Sequence, residues 1–275
     1  MVPIGTGALD LSRPTAGKPA LSLVVPAYDE AARLPATLDA LESHLESCDG
    51  DAEIIVVDDG SVDGTAAIVE ARPRRAVPIV LLRLPVNRGK GRAVVAGVAA
   101  SRGAVIAFLD ADLPYTLANL DEAVRLVTTA GAEVALGARD LPESSYDPSY
   151  PLVRQIAGRT YAALVRVALG LPFGETQCGL KAFRRETARA LFPVLTIDGY
   201  GFDVELVYLA YTRAHRIARF PVTLSHRHES RVRLIRDSIR LFADLWRVRR
   251  NDARGAYGRR PEAARAGAST GCAGP

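Results

Sequence analysis

Short apolar runs alternate with amphipathic segments through the first half of the chain. The apolar runs predict buried strands at residues 21–26, 53–57, 78–84, 104–109 and 133–138. The segments between them predict helices at residues 30–46, 92–101 and 119–130, and a helix that is capped by Ser61 or Asp63 and ends near residue 71. Strands that alternate with helices in this way predict an α/β protein with a mostly parallel sheet and helices on both of its faces.

The second half of the chain has a less regular pattern. It predicts strands at residues 179–183 and 217–224, a mobile loop at 141–151, and helices at 153–169, 186–191, 202–214 and 232–250. One side of the last helix is apolar, and arginines cover much of the rest. The apolar residues on that side are Leu234, Ile235, Ile239, Phe242 and Trp246.

Composition predicts one large folded domain. Of the 275 residues 48% are hydrophobic, which suffices for a sizeable core. The Gly- and Pro-rich residues 1–19 and the Ala-, Gly- and Arg-rich residues 251–275 are predicted to be disordered, which leaves residues 20–250 as the domain. The three cysteines, Cys48, Cys178 and Cys272, are far apart, so neither a disulfide scaffold nor a zinc site is expected and a reducing compartment is favoured.

The net charge of +4 comes with an arginine-rich stretch at residues 213–250. Nucleic-acid binding is disfavoured, because no aromatic residues alternate with these arginines in a stacking pattern and no nucleic-acid motif is present. The N-terminus shows no signal-peptide pattern, and no apolar run approaches the roughly 18–20 residues that span a bilayer. Any membrane contact is therefore expected to be peripheral.

Acidic residues follow three of the predicted strands. Asp110 and Asp112 come directly after the fourth strand, and they would point to the same side if that strand continued. Two like charges there require a cation or a hydrogen-bond network, so they indicate a divalent metal and a phosphorylated ligand, with solvated loop aspartates as the alternative. The pairs at 29–30 and 58–59 would lie at the same edge of a parallel sheet, where open α/β folds bind ligands.

Four motifs in order carry a resemblance to a known family. They are Val24-Val25-Pro26-Ala27-Tyr28-Asp29-Glu30, Val56-Val57-Asp58-Asp59-Gly60-Ser61, Asn87-Arg88-Gly89-Lys90-Gly91 and Asp110-Ala111-Asp112. Together they resemble the GT-A glycosyltransferases of family 2. The segments at 176–183 and 201–206 look like those of the polyprenyl-phosphate glycosyltransferases, and closest to the dolichyl-phosphate β-glucosyltransferase branch.

The resemblance implies a GT-A fold, Rossmann-like, with amphipathic helices near the C-terminus. It implies inverting, metal-dependent transfer of glucose from UDP-glucose to a polyprenyl monophosphate at a membrane surface. A mannosyltransferase that uses GDP-mannose, or a non-catalytic nucleotide-sugar-binding subunit, is the alternative. The expected location is cytoplasmic and peripheral, on the inner face of the cell membrane, and the oligomeric state is left open.

The family pattern also implies the donor-binding residues. Nine positions are expected to contact the donor, namely Pro26, Tyr28, Asp29, Glu30, Asp58, Arg88, Lys90, Asp110 and Ala111. Asp58 would contact the nucleobase, and Asp29, where the family usually has Asn, would either contact the ribose or cap the following helix. Asp110 and Asp112 would hold Mg²⁺ or Mn²⁺, although Pro114 stands where mannosyl relatives have Gln.

The catalytic residues implied in the same way are Asp112, Arg139 and Gln177, of which Gln177 would lie near the sugar. Arg139 and Arg154 would bind the acceptor phosphate, since the arginine side chain matches phosphate geometry. Cys178 is read as a small buried side chain. Four further residues keep two interpretations: sugar contact or helix capping for Asp203 and Glu205, diphosphate contact or plain exposure for His226 and His228.

The implied reaction needs little acid–base help. A lipid monophosphate is already anionic near neutral pH, and it can attack the anomeric carbon directly with inversion. The polyprenyl acceptor requires the active site to lie close to a bilayer. The arginine-edged helices at 153–169 and 232–250 either contact an anionic membrane surface or pack on the sheet.

Overall fold

The computed structural model describes residues 19–48, 50–146, 152–224 and 234–258. Its strands are β1 (Leu21–Ala27), β2 (Ala52–Asp58), β3 (Ile79–Arg83), β4 (Val105–Phe108), β5 (Val134–Ala138), β6 (Ser145–Tyr146), β7 (Lys181–Arg184), β8 (Ile217–Pro221) and β9 (Thr223–Leu224). Its α-helices are α1 (Leu34–Glu46), α2 (Thr65–Glu70), α3 (Lys90–Ala100), α4 (Leu117–Thr128), α5 (Leu152–Leu169), α6 (Arg185–Leu191), α7 (Phe202–Thr212) and α8 (Leu234–Ala253).

Seven strands form one twisted sheet in the order β3-β2-β1-β4-β7-β5-β8. The predicted mostly parallel α/β sheet is confirmed, with one strand reversed: β7 runs antiparallel to both β4 and β5. The strands β6 and β9 pair separately as a small parallel sheet. In the main sheet β1 lies between β2 and β4, so the carboxyl ends of these three parallel strands meet at one edge.

Helices cover both faces of the main sheet and bury its apolar side chains. On one face α1 and α4 contribute residues such as Leu38 and Val124 to a core cluster. On the other face α3 and α7 contribute residues such as Val94 and Leu206 to a second cluster. Both clusters include side chains from β1, because successive residues of a strand point to opposite faces.

Several predicted boundaries are wrong by a few residues for identifiable reasons. The helix predicted from residue 30 begins at Leu34, where a proline occupies its first turn. The helix predicted to follow a cap at Ser61 or Asp63 begins at Thr65, after Gly64, whose φ of +90° is not helical. The last helix continues to Ala253, and Tyr257 beyond it is 4% exposed, so the fold extends past the predicted domain end at residue 250.

The helix α8 uses a different side for packing than the predicted apolar one. Leu245 and Val248 are buried in the second core cluster. Phe242 and Trp246, which were expected to share the apolar side, are 43% and 78% exposed. The side chains of residues 234–239 lie outside the described part of the chain. Within the described residues, every helix is too short or too polar to cross a bilayer.

Candidate active site

A cavity of about 430 Å³ opens at the edge where β1 and β4 end. The end of β1, the turn before α3, the segment after β4, the start of α7 and the helix α8 all contribute to its wall. Eight of the predicted site residues lie in this wall, namely Pro26, Tyr28, Glu30, Arg88, Lys90, Asp110, Ala111 and Asp112. The structure therefore brings these residues together from positions far apart in the chain.

The two aspartates after β4 reach the cavity from a turn. The strand ends at Phe108, and residues 111–112 form a turn that ends in Leu113 with a φ of +44°. The strand does not continue through Asp110 and Asp112, so strand alternation does not set their direction, yet both line the cavity. Burial, and next the charge of Asp110, raise the pKa of Asp112 to about 6. The pair is thus a crowded site of negative charge that favours a bound cation.

Lys90 is the cation that the chain itself places beside this pair. As the first residue of α3 it reaches back so that Nζ lies 2.5 Å from Asp110 Oδ1 and 3.9 Å from Asp203 Oδ2. Burial alone would lower the pKa of Lys90, but the charges of Asp110 and Asp203 raise it above its usual value. The ammonium is therefore held charged at the cavity wall.

The turn before α3 is anchored by Asp59. Its carboxylate oxygens accept the backbone N–H groups of Arg88 at 2.9 Å and of Gly89 at 2.7 Å. Gly89 has a φ of +109°, and a Cβ there would lie 2.6 Å from the carbonyl oxygen of Asp198. Arg88 donates from Nη2 to Asp198 Oδ2 at 2.9 Å. These contacts hold two cations, Arg88 and Lys90, at one side of the cavity.

Two predicted donor residues lie outside the wall. Asp58, predicted to contact the nucleobase, is 1% exposed and its Oδ1 accepts the N–H of Ser61 at 2.9 Å. The next residue, Asp59, lines the cavity instead, because side chains alternate sides at the end of a strand. Asp29 accepts the N–H of Val62 at 3.0 Å, and it does not cap α1, whose N-cap is Arg33.

Arg139 and Gln177 also lie outside the wall. Arg139 Nε lies 2.5 Å from Glu175 Oε2, and Glu175 Oε1 accepts the backbone N–H of Gln177 at 2.6 Å. Burial alone would lower the pKa of Arg139, and the Glu175 carboxylate raises it well above its usual value. The acceptor-binding role of Arg139 stays a prediction. The side chain of Arg154, and the residues His226 and His228, lie outside the described part of the chain.

Beneath the cavity the acids of α7 have structural partners. Lys181 is fully buried, and its Nζ donates to Asp203 Oδ1 and to the Cys178 carbonyl, both at 2.6 Å. Glu205 accepts the backbone N–H groups of Thr196 at 2.9 Å and Ile197 at 3.0 Å, so it organises the segment before α7. Cys178 is fully buried, as a small core side chain is expected to be, and burial raises the pKa of its thiol.

One side of the wall was not foreseen. It comes from the segment before α7 and from α8, and its members are Gly199, Tyr200, Gly201, Arg240, Leu241 and Asp244. The motif that begins at Gly201 was the only signal for this side. Amphipathicity predicted that α8 exists, but a hydrophobic pattern does not reveal which polar residue of a helix faces a cavity.

The carboxylates of the wall fit a divalent cation. No group of three potential metal ligands occurs in the part of the chain that the structure describes. Mg²⁺ in phosphate-processing sites is usually held by one or two carboxylates, with phosphate oxygens and water as the other ligands. Asp110 and Asp112 meet that requirement, and burial together with the charge of Asp110 raises the pKa of Asp112, so a cation bound at the pair would favour its ionised form.

Comparison with known proteins assigns the chain to a protein family. The family model described as Glycosyl transferase family 2 matches residues 22–192, which run from the second residue of β1 to the end of α6 and include the strands β2 to β7. A dolichyl-phosphate β-glucosyltransferase of Trichomonas vaginalis is 34% identical over 247 residues, which cover 83% of this chain and 73% of that protein.

Solved structures share the fold. Glucosyl-3-phosphoglycerate synthase of Mycobacterium tuberculosis in complex with UDP superposes with a TM-score of 0.67, at 25% identity, over 89% of this chain and 84% of that one. A structure of the same enzyme with Mn²⁺, UDP and glucosyl-3-phosphoglycerate superposes with a TM-score of 0.62, at 25% identity, over 85% and 80%. The neighbours have the GT-A fold that the sequence motifs predicted.

Proposed function

The chain belongs to glycosyl transferase family 2, and from this premise we propose that it transfers glucose from UDP-glucose to a polyprenyl monophosphate. That it is a GT-A glycosyltransferase follows from the family match and its relatives. The donor, the metal and the membrane surface are the proposed part. The relative from Trichomonas vaginalis supports the glucosyl donor and lipid phosphate acceptor by its name.

The observation that carries the proposal is the arrangement of charges around the cavity. Arg88, Lys90, Asp110 and Asp112 line one cavity large enough for a nucleotide sugar, and Lys90 contacts Asp110 within it. A nucleoside diphosphate carries negative charge that the two cations can neutralise. The diphosphate and the carboxylates repel each other unless a divalent cation lies between them. The wall therefore suits a nucleoside diphosphate that is bound together with a divalent cation.

Asp110 and Asp112 would hold Mg²⁺ or Mn²⁺, and this ion would offset the charge that develops on the departing diphosphate. The structural neighbour with Mn²⁺ and UDP supports the use of a divalent metal. Lys90 would donate to the diphosphate, since its ammonium is already fixed at the wall. Arg88 would act in the same way, with Asp198 as its partner on the protein.

The acceptor supplies its own nucleophile. A phosphate monoester is largely dianionic above pH about 6, so no general base is required. Its oxygen would attack the anomeric carbon from the side opposite the diphosphate, which forms the new C–O bond as the bond to UDP breaks and inverts the configuration. The residues of the wall contribute by orientation and charge neutralisation. Arg139 is proposed to contact the acceptor phosphate, after rearrangement of its pair with Glu175.

Exposed apolar side chains support a membrane surface as the place of reaction. On α5 Ile156 and Val167 are 64% and 84% exposed, and on α8 Phe242 and Trp246 are also exposed. Arg249 Nη1 donates to the carbonyl of Ala168 at 3.1 Å, which joins the ends of the two helices. Apolar side chains beside arginines suit the headgroup region of an anionic bilayer. We therefore propose peripheral membrane contact through α5 and α8.

The proposal is tested by a donor and acceptor matrix. The full-length protein is incubated with radiolabelled UDP-glucose or GDP-mannose, with polyprenyl phosphate or 3-phosphoglycerate as acceptor, and with Mn²⁺, Mg²⁺ or EDTA. We expect label in the lipid extract from UDP-glucose and polyprenyl phosphate, abolished by EDTA. The glucose product should be the β-anomer by NMR, since the donor is the α-anomer. Asp112→Asn is the inactive control.

Each other outcome contradicts a defined part of the proposal. Lipid product from GDP-mannose alone would overturn the donor. Product from 3-phosphoglycerate alone would overturn the acceptor and place the chain functionally beside its structural neighbour. Full turnover in EDTA would overturn the metal. Donor binding without transfer to any acceptor would support a non-catalytic subunit.

A further inference from the structure

Asp244 of α8 is an acid at the cavity that the proposed reaction does not yet use. It lies in the wall together with Arg240 and Leu241 of the same helix. Asp59 and Asp110 of the same wall have polar partners within the protein, whereas among the described residues the Asp244 carboxylate has no hydrogen bond or ion pair. It is half-buried, and burial raises its pKa, with Arg247 as the largest opposing charge.

The neighbouring backbone leaves room for this carboxylate. A Cβ at position 201 would lie 2.2 Å from Asp244 Oδ2, so the carboxylate packs directly against the Cα of Gly201. Gly201 also lines the cavity and is the N-cap of α7. The contact positions a carboxylate of α8 beside the first turn of α7, and any larger residue at 201 would displace it.

A second polar group near Asp244 has no partner. The hydroxyl of Tyr161, on α5, is buried and makes no hydrogen bond among the described residues. Burial raises its pKa, and the nearby charges of Asp244, Asp203 and Glu175 raise it further. Tyr161 is not a residue of the cavity wall, so of these two groups only the Asp244 carboxylate is open to a bound ligand. A carboxylate accepts hydrogen bonds from hydroxyl groups, and a hexose offers several of them.

On these observations we propose that Asp244 accepts hydrogen bonds from the hexose hydroxyls of the nucleotide sugar and is a specificity-determining residue of the donor site. This inference rests on the proposed glycosyl transfer and names a residue of the protein that binds the sugar. It gives α8 a function in donor recognition besides its packing and membrane contact. Diphosphate binding would not depend on Asp244, because Lys90 and Arg88 serve that part of the ligand.

The test separates the sugar from the nucleotide. For wild type, Asp244→Asn and Asp244→Ala, calorimetry gives the Kd of UDP and of UDP-glucose in Mn²⁺, and the transfer assay gives kcat/KM for UDP-glucose and UDP-galactose. We expect kcat/KM for UDP-glucose to fall by about tenfold or more, as for a lost hydrogen bond to a charged group, with the Kd of UDP unchanged. The ratio of glucose to galactose transfer should change as well.

Asp51→Asn, the same substitution at an exposed position away from the cavity, is the matched control and should equal wild type in every measurement. Thermal unfolding of each variant detects loss of folding. Unchanged kcat/KM in Asp244→Asn, or an equal loss of affinity for UDP and UDP-glucose, would overturn the inference. If wild type transfers only from GDP-mannose, the donor proposed above fails, and the same comparison with GDP and GDP-mannose still decides the role of Asp244.

Discussion

Lys90 Nζ lies 2.5 Å from Asp110 Oδ1 and 3.9 Å from Asp203 Oδ2, so one ammonium stands between an acid of the cavity wall and an acid of the buried interior. Asp203 in turn accepts a hydrogen bond from Lys181 at 2.6 Å. The four side chains form an alternating row of charges that leads from the core to the cavity. A divalent ion at Asp110 would have to share that carboxylate with Lys90 or displace it.

Removal of the Lys90 charge should therefore have opposite effects on nucleotide and metal. We expect Lys90→Gln to lower kcat/KM by about 10²-fold or more, as for other lost donors to developing charge, and to weaken UDP binding. The same variant should bind Mn²⁺ alone more tightly, because no ammonium competes for Asp110. Calorimetry with UDP and the EPR signal of free Mn²⁺ measure the two effects. Arg92→Gln, exposed on the same helix, is the control, and weaker Mn²⁺ binding in Lys90→Gln would contradict this account.

Asp112 should make the metal-free protein less stable as pH rises. Its pKa is about 6 in the folded protein against a usual value of 3.8. Because the pKa of Asp112 is higher in the folded than in the unfolded protein, protonation of this carboxyl favours the folded state. Its contribution to the free energy of unfolding is fully present below pH 3.8 and is lost as pH rises through about 6. In EDTA the Tm of wild type should fall between pH 5 and 7 relative to the Tm of Asp112→Asn.

At pH 7 Mn²⁺ should raise the Tm of wild type and leave that of Asp112→Asn nearly unchanged. Differential scanning fluorimetry over the pH series, with and without Mn²⁺, measures both quantities. Parallel Tm curves for the two proteins in EDTA would show that Asp112 does not titrate in this range.

The buried pair of Lys181 and Asp203 should be costly to break on one side only. Their side chains are 1% and 4% exposed. We expect Lys181→Met to lower the free energy of unfolding by about 3–5 kcal/mol, because it leaves a buried carboxylate without its partner. The double variant Lys181→Met/Asp203→Leu should recover most of that loss, although Lys90 then loses its second acid. Urea denaturation of the single and double variants gives the values, and an equally unstable double variant would refute the explanation.

Two glycines with positive φ allow strain to be separated from crowding. Gly64 has a φ of +90° with open space around it, whereas a Cβ at Gly89 would meet the Asp198 carbonyl oxygen at 2.6 Å. Gly64→Ala should lower the free energy of unfolding by about 1–2 kcal/mol, which is the cost of a positive φ for a residue with a Cβ. Gly89→Ala should cost about 2–4 kcal/mol through added overlap, and it should also weaken UDP binding because Asp59 holds this turn. Equal losses of stability, with UDP affinity intact in both, would contradict the assignment.

Local patterns predicted the strands and the edge at which they end, because the alternation of apolar and polar residues is a local property of the chain. The same patterns could not give the direction of β7. A short apolar run does not indicate which way its strand runs in the sheet, and β7 pairs with β4, which is distant in the sequence. The family motifs contain Lys90 and Asp112, which both line the cavity. They indicated Asp58, whereas Asp59 lines the wall. Two adjacent acids at the end of a strand point to opposite sides, and the sequence does not show which side faces the cavity.

The role of α8 was the least predictable part. Its amphipathic pattern placed Phe242 and Trp246 on an apolar side, which in soluble proteins normally faces the core. In the structure Leu245 and Val248 face the core, while Trp246 is 78% exposed. The competition between two apolar sides of one helix is decided by the shape of the neighbouring helices, which the helix sequence does not contain. The exposed side is the one that we propose contacts a membrane.

Trp246 should therefore report membrane contact directly. It is the only tryptophan of the chain, so intrinsic fluorescence excited at the indole band comes from this one position. We expect its emission to shift to shorter wavelength and to rise in intensity on addition of phosphatidylglycerol vesicles, because the indole leaves water for the interface. Pure phosphatidylcholine vesicles should give a smaller change, and high salt should reverse part of the shift, because the arginines of α8 contribute by electrostatic attraction.

Val167→Asp tests the surface while the reporter stays in place. Val167 is 84% exposed on α5, so the substitution should leave the Tm unchanged and weaken vesicle binding, measured by the same fluorescence shift and by sedimentation. Val62→Asp is the matched control, because Val62 is 89% exposed but belongs to neither α5 nor α8. A loss confined to Val167→Asp locates the contact on this surface. Unshifted Trp246 emission in wild type at saturating anionic lipid would rule out α8 as the membrane-contacting helix, even if lipid-linked glucose is formed.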